Sequence, residues 1–373
     1  MFGNSFNAPK VVIGLGFGDE GKGLTTSYLC SITENPMVIR FNGGHQAGHT
    51  VVHEGQRHVF SSFGAGTLQG VPTYFNKDCT IFPRAIVNEH NSLGEYGTVP
   101  APILYVHPLC PVTTPFDIQS NKLDEDNRKE RHGSVGVGFG KTIQRQEDFY
   151  TLYAQDLFYP KVVKAKLENI ARYYGGGMHK ETLANFYLDI EDCIKIIRVD
   201  KTIKDFARAG FNFICEGAQG VLLDQDFGFF PNVTRSNTTS KNAMELLGML
   251  NPEIYYITRS YGTRHGAGFM SNESDAEELG LKNNLDETNV SHKYQGDFRV
   301  GHIDSQMINY AIQSDSHFSK GCKKNLVITC LDQYDLDVDD FLSSIECKLE
   351  KVYTSYGPSL TDVSEYPRTK IVS

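Results

Sequence analysis

The chain has 373 residues, 40% of them hydrophobic and 22% charged, with a formal net charge of −9. That length can bury a large core, as one large α/β domain or two smaller ones, and the acidic balance excludes a generally basic face for a nucleic-acid polymer. A phosphate-bearing partner therefore has to be met by a local cationic pocket, which favours small ligands. No stretch reaches the roughly 18 consecutive apolar residues of a membrane span, and no basic segment followed by an apolar run opens the chain, so no membrane partner and a cytoplasmic location are expected. The eight cysteines are scattered without a CxxC pair and read as reduced, buried thiols rather than a disulfide framework or a zinc site.

In chain order, strand-like apolar runs recur at "KVVIGLG", "MVIRF", "CTIF", "ILYV", "FNFICEG", "IYYITRSYG" and "NLVITCLD". The segments between them are long enough for helices, which predicts an α/β fold with a mostly parallel central sheet flanked by helices. The segment 151–205 has helical spacing and few glycines, and is expected to be a helical insertion. With no linker or repeat in sight, 1–373 reads as a single domain. Two polar stretches, 121–133 and 271–297, suit either solvated surface or a lid.

The first run leads into a P-loop-like glycine loop. Gly16 to Lys22 has the G-x-x-x-x-G-K spacing in which backbone N–H groups and a helix start surround phosphate oxygens. Gly16, Gly18 and Gly21 also satisfy G-x-G-x-x-G, but "MVIRFNGGHQAGH" offers no acidic residue where a dinucleotide's ribose would need one. A standard nucleoside triphosphatase would place Ser or Thr after the lysine to hold magnesium, whereas Gly23 stands there. Asp19 is then the candidate, either as a magnesium ligand among phosphate oxygens or as a base beside the attacking atom. Next, "FNGGHQAGHT" places His45 and His49 beside three glycines. A glycine-rich segment is a poor helix for a zinc pair, which leaves a structural role or hydrogen bonding to a phosphoryl group. Further on, "EGAQGVLLDQDFGFFPNVTRSNTTS" joins a tight glycine turn to hydroxyl and amide side chains from Thr234 to Ser240, suited to a helix cap, a phosphate or a purine edge.

Taken together, "GDEGKG", "RFNGGHQAGHTVV", the long GAQG segment, "YGTRHGAG", "LD" at 331 and "YGP" at 356 closely resemble the adenylosuccinate synthetase family, in the family's order and over almost the whole chain. The resemblance implies a homodimeric ligase that joins L-aspartate to C6 of a purine nucleoside monophosphate through a 6-phosphoryl intermediate, driven by a nucleoside triphosphate with Mg2+. In this reading Asp19 takes the N1 proton of the purine and touches the metal, to which Gly48 adds a carbonyl, and His49 stabilises the transferring phosphoryl group. Lys22, with the backbone of Glu20, Gly21 and Gly23, holds phosphates. Thr50, Asp332, Gly357 and Pro358 complete the triphosphate site. The monophosphate falls to Gln46, Ser134, Val135, Arg145, Gln219, Leu223, Thr234 and His265, with Arg145 standing in for an arginine donated across the dimer.

The sequence also departs from the family pattern around the ligands. The four-arginine aspartate loop is reduced to Arg299, following Gly296, with Lys293 and Arg264 as replacement cations. Cys330 stands where a lysine precedes the guanine-reading aspartate, which opens the donor site to ATP or dATP. Gln46 replaces an asparagine, and His265 a small apolar residue. IMP is the expected acceptor, because Asp19 is retained. The alternatives are the same chemistry on GMP or dGMP, as in phage relatives that make the 2-aminoadenine precursor, a nucleotide-binding regulator without catalysis, and a plain triphosphate hydrolase.

Overall fold

The computed structural model describes residues 7–97, 101–128, 134–282 and 296–367. Strands in chain order are β1 (Lys10–Gly14), β2 (Pro36–Arg40), β3 (His49–His53), β4 (Gln56–Phe60), β5 (Thr73–Phe75), β6 (Leu104–Val106), β7 (Ile197–Arg198), β8 (Asn212–Gly220), β9 (Glu253–Arg259), β10 (Gly262–His265), β11 (Glu273–Ser274), β12 (Phe298–Gly301), β13 (Lys323–Thr329), β14 (Lys351–Ser355) and β15 (Val363–Glu365). The helices are α1 (Lys22–Ser31), α2 (Pro83–Glu95), α3 (Pro115–Asn127), α4 (Phe139–Glu147), α5 (Pro160–Tyr173), α6 (Lys180–Ile196), α7 (Ile203–Arg208), α8 (Lys241–Leu247), α9 (Ser305–Ser316) and α10 (Val338–Ser343).

One ten-stranded sheet runs in the order β15-β14-β13-β9-β1-β8-β2-β5-β6-β7. Its strands pair in parallel except β14 with β15. A parallel sheet is covered on both faces, and its central strands β1, β2, β8 and β9 are accordingly buried over most of their length. The two faces separate by the strand period of two. Val11 and Ile13 of β1 pack with Ile39, Cys215, Tyr256 and Ile328 in one core, whereas Val12 packs with Val38, Ile214, Tyr255, Ile257 and Val327 in another. A further core lies under α2, α5 and α6, so the segment 151–205 contributes helices that bury Val163, Leu167, Ile170, Phe186 and Ile190. All eight cysteines are free thiols, six of them buried.

The expected strand at "CTIF" does not form. Cys79 and Ile81 make only isolated bridges to Gly43 and Val112, because Pro83 opens α2 one residue after the run, and the strand beside β2 is β5 instead. No helix among the described residues is long and apolar enough to cross a membrane. What the fold positions is a crevice at the carboxyl ends of β1, β8, β9 and β13. There the chain order reverses across the sheet, which is where parallel α/β sheets place their ligands.

Candidate active site

A cleft of about 750 Å3 opens at these strand ends, within the range of small-ligand sites, roughly 300–1,000 Å3. Its floor is the loop between β1 and α1. Gly21, with φ 95°, caps α1, and a side chain there would meet Thr329 Cγ2 at 2.9 Å. Such a turn needs glycine. Lys22 and Gly23 begin α1, where free N–H groups and the helix dipole favour an anion.

Glu20 lies elsewhere than its backbone role suggested. Its carboxylate turns back into the loop and accepts from the N–H groups of Gly16 (3.0 Å) and Gly18 (2.8 Å), with Lys22 Nζ as its ion-pair partner. A Cβ at Gly14 would lie 2.3 Å from Glu20 Oε2, and one at Gly220 would lie 2.5 Å from Oε1. Those glycines make the seat of Glu20, whose side chain shapes the loop and holds Lys22.

Asp19, with φ 61°, is 38% exposed at the side chain and accepts from His265 Nε2 at 2.8 Å, while its backbone carbonyl receives Arg259 Nε. Burial opposes its ionisation, but the His265 hydrogen bond and the charges of His265, Arg259 and Lys22 outweigh it and hold the carboxyl at about 2. An ionised acceptor therefore faces the cleft near neutral pH.

His49 opens β3, and its Nδ1 lies 2.6 Å from Glu216 Oε1. Glu216, fully buried in β8, also accepts from Ala65 N at 3.1 Å. Burial lowers the His49 pKa and Glu216 opposes the drop. With Nδ1–H directed to Glu216, Nε2 is left without a protein partner, although it is buried. A negative group beside Nε2 would favour the imidazolium, and Glu216 would steady that charge. Sequence reading passed over Glu216, yet a charged residue in the otherwise apolar run "FNFICEGA" was its signal, since buried carboxylates need partners.

Between β1 and β8 the register slips: Val12 pairs with Glu216 but Gly14 with Gly220. The extra length includes Gln219 at φ 62°, and bulges of this kind re-aim side chains at active sites. Gln219 lines the cleft, as do Gln46, Leu223, Thr234, Ser134, Val135 and His265. Several polar atoms there are buried without protein partners, namely Gln219 Oε1, both amide atoms of Gln46, and His265 Nδ1. Buried polar atoms without partners are uncommon, and their convergence on one cleft points to a polar ligand. Of the hydroxyl run, Thr234 reaches the cleft, while Ser236, Thr238, Thr239 and Ser240 are buried away from it. His45 does not line the cleft and packs on Phe82, with 5.2 Å between ring centroids. Gly48, Thr50, Asp332, Gly357 and Pro358 line the remaining wall.

Three of the expected residues do not line the cleft. Arg145 is fully buried and paired with Asp117 (2.8 Å), and it also donates to the carbonyls of Val112 (2.9 Å) and Tyr150. It ties α4 to α3 and does not line the cleft. Arg299 is ion-paired with Glu273 and donates to the carbonyls of Gly266 (3.0 Å) and Gly268 (2.9 Å), which draws it out of the cleft wall. Gly296 likewise packs against Gly266 instead of lining the cleft. Arg264 does line it, but its guanidinium donates to the carbonyls of Ala267, Phe269 and Asn232 and covers the Phe17 ring at 4.1 Å. Lys293 lies outside the described residues. The cleft also gathers cations that the sequence did not single out, including Lys141, paired with Asp124, and Arg235, paired with Glu147. Both sit within helical or loop polarity that looks like ordinary surface.

No group of three or more acidic, His or Cys side chains able to hold a metal occurs among the described residues. Magnesium, however, is usually held by one or two carboxylates together with substrate phosphates. The oxygen donors of Asp19 and Gly48 on one cleft fit that habit.

The family model for adenylosuccinate synthetase matches residues 11–343. An adenylosuccinate synthetase of Colwellia psychrerythraea is 31% identical, with 96% of this chain and 83% of that protein covered. A second, from Pseudoalteromonas translucida, is 31% identical over 82% and 74%. Among solved structures, fully ligated adenylosuccinate synthetase from Plasmodium falciparum superposes with TM-score 0.78 at 17% identity, over 97% of this chain and all of that one. The succinoaminodeoxyadenylate synthetase of cyanophage S-2L, bound to dGMP and dATP, superposes with TM-score 0.69 at 18% identity, over 96% and 95%. With the family model covering most of its length and the glycine loop and GAQG turn meeting at one cleft, the chain belongs to the adenylosuccinate synthetase family, ligases that form a C–N bond between aspartate and a purine nucleotide.

Proposed function

We propose that this chain joins L-aspartate to C6 of IMP at the expense of GTP, works as a homodimer and uses Mg2+ held by Asp19 and Gly48. The observation that carries the reading is the ionised Asp19 carboxylate, set on one cleft with Lys22 and with the free Nε2 of His49.

Asp19 takes the N1 proton of the 6-oxopurine, and O6 attacks the γ-phosphorus while the bond to the β-phosphate oxygen breaks and the diphosphate leaves. Lys22, released from Glu20, and the amides at the start of α1 stabilise the charge that spreads over the phosphates. His49, backed by Glu216, hydrogen-bonds the transferring group. The aspartate amino nitrogen then attacks C6, the C6–O bond breaks and inorganic phosphate departs with the proton that Asp19 held, while the amine loses one proton to solvent and N1 of the purine stays unprotonated. Magnesium, when bound, neutralises phosphate charge. Gln46, Gln219 and Thr234 orient the monophosphate.

For the donor, Asp332 can accept the two N–H groups of a guanine edge. It is exposed, and Cys330 brings no cation to support it, so GTP is preferred to ATP by no more than about tenfold, about 1.4 kcal/mol. Turnover with IMP, GMP and dGMP, each paired with GTP, ATP and dATP, tests both choices. Succinyl product from IMP is expected, and product from dGMP alone overturns the acceptor assignment.

A further inference from the structure

His265 ends β10, where it pairs in register with Phe298 of β12. The two rings pack with centroids 4.9 Å apart, so the imidazole is backed from one side by a fixed aromatic neighbour. On the other, Nε2 reaches Asp19 Oδ2 at 2.8 Å, and Nδ1 is buried without a protein partner. Asp19 itself has left-handed backbone geometry, and Arg259 grips its carbonyl rather than its carboxylate. Among the hydrogen bonds and ion pairs of the described residues, the His265 contact is the one that fixes where the carboxylate points.

We propose that His265 is a positioning residue: its Nε2–H donates to Asp19 Oδ2 and keeps Oδ1 turned to the purine N1–H, a role that a small apolar residue at this position could not fill. The bond requires only an N–H on Nε2, which neutral and protonated imidazole both supply. Proton abstraction depends on hydrogen-bond geometry before anything else, so a carboxylate that swings freely lowers the rate of O6 attack more than it weakens nucleotide binding. The inference rests on the proposed role of Asp19 as base.

The test compares His265→Leu and His265→Gln with the full-length wild type. The glutamine amide can place a donor near the site of Nε2, whereas leucine fills space without one. Two readouts are followed: succinyl-nucleotide formation, and scrambling of 18O from the βγ-bridge of the triphosphate with monophosphate present and aspartate absent, which reports phosphoryl transfer alone. His265→Leu should lower kcat and scrambling together by roughly 10- to 100-fold, with KM for monophosphate and triphosphate changed by less than about threefold, and His265→Gln should recover most of the loss. Retention of scrambling by the leucine variant overturns the inference. So does a glutamine variant as impaired as leucine with an unchanged melting temperature, or a leucine defect confined to KM. Failure of the wild type to scramble in the presence of IMP defeats the parent reading instead, so the two failures are distinct.

Discussion

The two ends of the cleft are built differently. At the glycine-loop end, the wall is set by backbone: the loop, the start of α1 and the slipped register between β1 and β8 place Asp19, Lys22, His49 and Gln219 on one cleft. At the end where a dicarboxylate would enter, recognition would have to rest on long side chains, and the two arginines described there are held by the protein itself, Arg299 by Glu273 and two carbonyls, Arg264 by three carbonyls. Backbone sites are preorganised by the fold. Side-chain sites on loops depend on which partner wins the guanidinium, and a local carboxylate or carbonyl competes well.

If that contrast holds, damage should be severe at the first end and mild at the second. Lys22→Ala removes the cation nearest the loop and should lower kcat by about 1,000-fold or more, measured by product formation at saturating triphosphate. His49→Ala should cost on the order of 100-fold in kcat, with a smaller change in monophosphate affinity by calorimetry; equal losses in both would mean that His49 only shapes the pocket. Gly14→Ala drives a methyl group into the Glu20 carboxylate, 2.3 Å from an oxygen, and should destabilise the fold by ~1–3 kcal/mol in a melting experiment and weaken triphosphate binding. Arg299→Met should raise KM for aspartate by less than about threefold. A hundredfold rise would show that Arg299 leaves Glu273 when substrate arrives, and would erase the difference between the two ends.

How far each end was legible in the sequence follows from the same physics. The parallel sheet, the glycine loop and the GAQG turn announce themselves, because few residue types satisfy positive φ or close backbone approach, and Gly14, Gly21 and Gly220 are local requirements. Glu216 stood out only as a charge in an apolar run, and its role was hidden because its partner His49 lies 167 positions away in sequence. The internal partners of Arg145 and Arg299 were out of reach for a related reason. Spacing places an arginine near a site, but whether it faces a ligand or an internal partner such as Asp117 or Glu273 is decided by tertiary neighbours. The run "CTIF" had strand composition, yet Pro83 starts a helix immediately after it, and propensity yielded to context.

In the proposed reaction every later step depends on the Asp19 carboxylate acting on the purine. The most direct measurement is succinyl-nucleotide formation from IMP, GTP and aspartate by wild type and Asp19→Asn, run beside equilibrium binding of IMP. The amide keeps the shape but cannot accept the N1 proton, so product formation should fall by about 1,000-fold or more while IMP affinity changes little. A variant that still makes product at a rate near that of the wild type would contradict the central claim.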